Sequence, residues 1–147
     1  MARNLIAYLE LSLLAHATED SDKVLKAAQN LFPTDCLDKI FFSKNTLKGE
    51  YGNPITFCKT QIENPELAEA LLRNISSNLS TLDRETLLQE LRMRTKKGNL
   101  FLRIDKQAAF MGKHKLGRAD PIRLRIRFKT SRIEDIEETC RMIGMLP

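Results

Sequence analysis

Tryptophan is absent from this 147-residue chain, aromatic residues of all kinds make up 6% of it, and it has only two histidines and three cysteines. Each scarcity removes a class of function. His16 and His114 are too few to build a metal site by themselves, and Cys36, Cys58 and Cys140 are odd in number, far apart and at no ligand spacing. That pattern excludes a zinc site or a disulfide framework and fits a reducing compartment. There is no internal repeat or low-complexity stretch, and no apolar run is long enough to span a bilayer. The nearest to one covers residues 5–14, where Arg3 before it and Ala15-His16-Ala17 after it mimic a secretory signal. Glu10 in its middle opposes that reading. Leu5, Ala7, Leu9, Leu11, Leu13 and Ala15 alternate instead as one face of a buried strand. A cytoplasmic protein without a membrane partner is therefore expected, in which the Asn74 and Asn78 glycosylation sequons carry no meaning.

What the chain does have is basic charge, gathered in one place. Residues 92–132 hold 14 Lys and Arg against 2 acids, while everything outside holds 10 against 17, so an overall charge of +5 hides a local +12 and a remainder of −7. An asymmetry of this kind points to a polyanionic partner. Within the window, Ile122-Arg123-Leu124-Arg125-Ile126-Arg127-Phe128-Lys129 alternates apolar and basic residues without a break. The period of two is that of a β-strand, with four apolar residues facing a core and Arg123, Arg125, Arg127 and Lys129 forming a row on the other side.

At 42% hydrophobic residues, the chain is sized for one domain over 1–147 with its own core. After the first strand, Thr18-Glu19-Asp20 supplies a cap and acids for a helix carrying Val24, Ala27, Ala28 and Leu31, which Pro33 closes. Strand-like runs at 40–48 and 55–62 flank the turn-rich Gly49-Glu50-Tyr51-Gly52-Asn53-Pro54 and predict a hairpin. Asn64 and Pro65 open a second helix running to Ser77, and a third starts near residues 80–83 with Leu87, Leu88 and Leu91 inward. Its end is marked by Arg92, Arg94, Lys96, Lys97 and Gly98, cations that suit the helix dipole followed by a glycine stop. Leu100, Leu102 and Ile104 alternate with Phe101 and Arg103 as a fourth strand, and Asp120-Pro121 reads as the turn before the basic strand. Ser131-Arg132-Ile133-Glu134 is a capping box for a last helix bearing Ile133, Ile136, Cys140 and Ile143. The order β-α-β-β-α-α-β-β-α predicts a two-layer α+β sandwich, a mostly antiparallel five-stranded sheet with helices on one face and the other face open.

Three stretches together resemble a known family: His16-Ala17-Thr18-Glu19-Asp20 leading into Lys23-Val24, the segment from Gly98 through Asp105-Lys106-Gln107-Ala108-Ala109 to Gly112, and Asp120-Pro121-Ile122-Arg123-Leu124-Arg125-Ile126. They look like the archaeal predicted RNA-binding family, also called a predicted exosome subunit. The resemblance implies a fold similar to that of a large-subunit ribosomal protein that binds ribosomal RNA. It further implies RNA as partner, exosome components as further partners, and no catalytic residues to carry over.

The candidate RNA-contacting residues are Arg92, Arg94, Lys96, Lys97, Arg103, Lys106, Lys113, His114, Lys115, Arg118, Arg123, Arg125, Arg127 and Lys129. A charge row has blander explanations, a solvated face or an edge strand kept from aggregating; its coincidence with the cations around it favours polyanion binding. Phe101 and Tyr8, at outward positions, offer rings for unpaired bases with Arg103 beside Phe101, or else pack under a helix. With so few aromatics, backbone and shape recognition are expected to dominate, without sequence specificity. Gly112-Lys113-His114-Lys115-Leu116-Gly117-Arg118-Ala119 has the glycine spacing of a phosphate-binding loop but lacks the Lys-Ser/Thr that follows the second glycine, so it reads as a basic turn. Asp105-Lys106-Gln107 reads as a turn in which Asp105 caps backbone amides and pairs with an arginine, not as a catalytic cluster. The expectation is a non-enzymatic RNA-binding protein without a cofactor, linked to RNA processing or degradation or to ribosomal RNA. The alternative is an interaction module whose basic sheet docks on an acidic protein.

Overall fold

The computed structural model describes residues 5–48 and 52–147. Its strands are β1 (Ile6–Ala15), β2 (Ser43–Lys48), β3 (Pro54–Ile62), β4 (Thr95–Lys96), β5 (Asn99–Ile104) and β6 (Ile122–Phe128). The α-helices are α1 (Ser21–Gln29), α2 (Pro65–Ser77), α3 (Thr81–Arg94), α4 (Lys106–Phe110) and α5 (Ile133–Ile143), with a 3-10 turn at Thr34–Lys39. The strands form one sheet in the order β2-β3-β1-β6-β5-β4, antiparallel throughout. Helices cover one face. The α+β reading holds, with a sixth strand and a fifth α-helix added.

The two central strands anchor the core. Leu9, Leu11 and Leu13 of β1 and Ile122, Leu124, Ile126 and Phe128 of β6 are at most 2% exposed, and they meet Leu71, Leu72 and Ile75 of α2 and Ile136 and Cys140 of α5. Each such side chain contributes about 1.5–3 kcal/mol on burial, so alternation alone fixes which face of β6 goes inward. In β1 the expected parity holds from Leu9 to Ala15. Between Ile6 and Tyr8 the register shifts, and Ile6 becomes the buried residue in place of Leu5 and Ala7. A β-bulge adds one residue to a strand and thereby switches its faces.

Local chemistry accounts for most helix ends and for three departures from expectation. Asn64 accepts hydrogen bonds from the Glu66 and Leu67 amides, and Ser80 accepts one from Asp83. The first helix is capped by Asp20 rather than Thr18. The capping box of α5 does not form: Arg132 occupies the N-cap, and Thr130 Oγ1 accepts the Arg132 amide hydrogen bond from two residues upstream. Gly98 does not end α3. Thr95 and Lys96 leave the helix as β4 and pair with Leu100 and Asn99 across a two-residue turn, in which Lys97 (φ 50°) and Gly98 (φ 82°) both take left-handed backbone. That is a type I′ hairpin turn, whose twist matches the flanking strands. A Cβ on Gly98 would stand 2.9 Å from the Thr130 carbonyl oxygen, so the position has no room for a side chain.

β2 and β3 form the expected hairpin, although Gly49, Glu50 and Tyr51 of its loop, like Arg3 near the N-terminus, lie outside the described residues. No helix among the described residues is long and apolar enough to cross a membrane.

Candidate nucleic-acid interface

Residues paired directly across strands share a sheet face, so the register defines the open surface row by row. One row runs Arg103, Arg123, Ser12, Lys59, Ser43 from β5 to β2. The next runs Phe101, Arg125, Glu10, Gln61, and a third runs Lys96, Asn99, Arg127, Tyr8. Among the described residues, these rows carry the cations Lys59, Lys96, Arg103, Arg123, Arg125 and Arg127 and the single acid Glu10. Because β6 lies between β1 and β5, its arginines are not protecting a sheet edge.

The six cations are not equivalent. Arg125 donates to Glu10 Oε2 at 3.0 Å and to the Tyr8 hydroxyl at 3.1 Å, and its guanidinium carbon lies 5.6 Å from the Tyr8 ring centroid. Glu10 also meets Lys59 Nζ at 3.4 Å. Arg127 donates to the Lys97 carbonyl, tying β6 to the β4–β5 turn. Arg103 and Arg123 are different. Both are exposed, they stand directly opposite each other, and neither side chain has a hydrogen bond or ion pair among the described residues. Like charges placed directly across two strands are destabilising, and among the described residues no acid lies within ion-pair distance of either; Asp120, which lines a small pocket with Arg123, is engaged by Lys106 and His16.

The remaining candidates divide between the edge of the sheet and the helix side. Arg92 is exposed at the end of α3, and Arg94 is held by Glu90 at 2.8 Å. Lys97 occupies the hairpin turn, and Lys129 is exposed just beyond β6. Lys113 and Lys115 line a cavity of about 380 Å³ with Asn78, Ser80 and Asp83 at the α2–α3 junction, and Arg118 is exposed in the same connection. Leu116 pins that connection to Ile104, and a Cβ on Gly117 would stand 2.7 Å from Asp105 Cα. His114 is 8% exposed, its Nε2 3.3 Å from the Asn30 carbonyl oxygen. It does not reach the open face.

Lys106 is also withdrawn, held by oxygens of the chain itself. Its ammonium lies 3.0 Å from the Leu14 carbonyl, 3.0 Å from Glu19 Oε1 and 2.5 Å from Asp120 Oδ2, and its side chain is 11% exposed. Asp120 also faces His16 Nε2 at 3.2 Å. His16, Glu19 and Asp120 have metal-ligand spacing, but the Lys106 ammonium already contacts both carboxylates and supplies the positive charge. Asp105 caps α4 through the Ala108 amide as expected, but forms no ion pair with an arginine among the described residues. The cation pairing in this segment belongs to Lys106. Burial, reinforced by Glu137, pushes the Cys140 thiol up to about 12, and burial also raises Cys36 and Cys58. None of the three is an activated nucleophile.

Comparison with known proteins bears on what this surface contacts. The sequence model of a family described as RNA binding matches residues 8–128, from the start of the open face on β1 to the end of β6. The chain belongs to this RNA-binding family. RNA-binding protein PAB1135 of Pyrococcus abyssi is 33% identical over 133 residues, covering 88% of this chain and 86% of the relative. The crystal structure of AF2318 from Archaeglobus fulgidus, of the DUF54 family, superposes with a TM-score of 0.79 at 29% identity over 94% of this chain and 99% of that one. Mth689 of Methanothermobacter thermautotrophicus, another DUF54 protein, gives 0.74 at 28% identity over 94% and 97%. The three stretches that carry the family resemblance meet at Lys106: His16 and Glu19 come from the first, Lys106 from the second and Asp120 from the third.

Lys59 was missing from the sequence-based candidates. Its outward parity in β3 was readable, but its place in a row with Arg123 depends on β1 lying between β3 and β6.

Proposed function

We propose that this protein is a non-catalytic RNA-binding protein whose open sheet face seats the phosphodiester backbone, with Arg103 and Arg123 as its principal contacts and Lys59, which is shared with Glu10, beside them in the same row. The observation that carries this reading is the directly opposed Arg103–Arg123 pair, without an ion-pair partner among the described residues, on a face whose rows hold six cations and one acid among those residues. A solvated face gains nothing from such a pair, whereas a bound phosphate converts the repulsion into two charge-assisted hydrogen-bonding partners. Membership of an RNA-binding family and the name of the Pyrococcus relative support RNA as the polyanion. Raised thiols and an ammonium held by carboxylates support a binding role over a catalytic one. The implied links to ribosomal RNA and to an RNA-processing or RNA-degrading assembly belong to this proposal as its targets.

Titration against single-stranded RNA, folded RNA and duplex DNA at two salt concentrations tests it. With four phosphates contacted, log affinity for a single strand falls against log salt with a slope of about −3. Binding that is absent for all three, or indifferent to salt, sinks the proposal. Co-purification of an acidic protein that survives RNase, in the same protein that binds no RNA, would favour the docking-module alternative.

A further inference from the structure

Resting on the RNA-binding reading, we propose that the corner formed by Phe101, Arg103 and Arg123 captures one unpaired nucleotide, so that the protein selects single-stranded over duplex RNA. Phe101 is 44% exposed on the open face of β5, in the row next to the Arg103–Arg123 pair. It precedes Arg103 by two positions on β5, so the two side chains emerge on the same face about 6.7 Å apart. Arg123 stands across from Arg103, one strand spacing of about 4.8 Å away. A phosphate between the two guanidiniums therefore has its own base within reach of the Phe101 ring.

The neighbours of the corner define its limits. Across from Phe101, the Arg125 guanidinium is turned toward Glu10 and Tyr8. Arg103 and Arg123 have no such partner among the described residues. β4 pairs only with Asn99 and Leu100, so the strand that flanks the start of β5 does not pair with Phe101 or Arg103. A base stacked in a duplex presents its edges, with both faces covered, and cannot lie flat on a phenyl ring. An unpaired base can, whatever its identity, because every base has a π-face. Discrimination here is between strandedness states, without sequence preference.

The test is fluorescence anisotropy on the intact protein with one labelled 12-nucleotide RNA of mixed sequence, free and annealed to its complement, at fixed salt. Single strand is expected to bind at least about tenfold tighter than duplex. Phe101→Leu, which keeps apolar bulk without a ring, weakens single-strand binding about tenfold and leaves duplex binding within about twofold. Phe101→Tyr retains single-strand affinity, and circular dichroism confirms that each variant is folded. Equal affinity for the two forms, or a Phe101→Leu variant that binds single strand as the parent does, overturns the nucleotide site. In either case, continued weakening by Arg103→Gln with Arg123→Gln leaves backbone binding intact. If neither RNA form binds at all, the proposed function and this site fall together.

Discussion

Lys106 and the Arg103–Arg123 pair are cations from one basic window, yet the fold treats them in opposite ways. Lys106 is nearly buried and surrounded by three oxygens drawn from β1, the turn after it and the connection before β6. Arg103 and Arg123 face solvent and each other, and neither side chain has a hydrogen bond or ion pair among the described residues. The difference teaches that local net charge does not identify a binding surface. A charge already compensated by the protein is architecture, and one left uncompensated at a cost is available to a ligand.

Substitutions can pull the two regions apart. The largest effect is expected from Lys106→Met, which leaves Glu19 and Asp120 facing each other without their cation. Because those acids are partly solvated, the loss should be about 2–3 kcal/mol, a fall in Tm of about 6–10 °C, with RNA affinity within about twofold. Thermal melts alongside binding titrations check it, and an unchanged Tm would dissolve the contrast. Arg103→Gln with Arg123→Gln should do the reverse, weakening RNA binding about tenfold and reducing the magnitude of the salt slope by about 1.4 while the fold survives.

Between these extremes, Arg125→Gln breaks the contacts to Glu10 and Tyr8 and should cost at most about 1 kcal/mol of stability, since the pair is partly exposed. Denaturant melts at low and high salt would show whether that pair behaves as architecture, as Lys106 does. The smallest effect sharpens the comparison most. Arg123→Gln alone removes the like-charge opposition and should raise Tm by about 1–2 °C at low salt, with the gain vanishing at high salt. A lowered Tm would mean that Arg123 has a structural role after all.

Cys140, buried in the core on the helix side of the sheet, provides a control. Its folded-state pKa lies above its ordinary value of 9.0, so the folded protein holds the proton longer than the unfolded chain. The associated stability is complete below pH 9 and declines at up to about 1.4 kcal/mol per pH unit as pH rises toward 12. Cys140→Ala should remove that part of the alkaline loss while leaving RNA binding at neutral pH unchanged, as paired melts and titrations would show.

Much of the fold was legible because periodicity reports directly on burial. The alternation of Ile122, Leu124, Ile126 and Phe128 identified the inward face of β6, and Asn64-Pro65 identified the start of α2. Sites where tertiary contacts compete with local preference were less legible. Thr95 and Lys96 follow a helix and look like its last turn, but pairing with Leu100 and Asn99 gives their backbone a sheet edge to join. Likewise Ser131 lost the cap of α5 to a shift of one residue, because Thr130 already supplies the oxygen for the Arg132 amide.

The same division runs through the candidate site. Sequence by itself determined that the window 92–132 is strongly basic, that a strand in it alternates arginines with apolar residues, and that the arginine side differs from the side facing the core. These properties depend on residue type and on a two-residue period, both local. Only the tertiary structure decided that β6 is a central strand, that Arg123 faces Arg103 while Arg125 is taken by Glu10, that Lys59 joins the row, and that Lys106 leaves it. Those outcomes depend on strand order and register, and a charge is free or spent according to which distant oxygen the fold brings beside it.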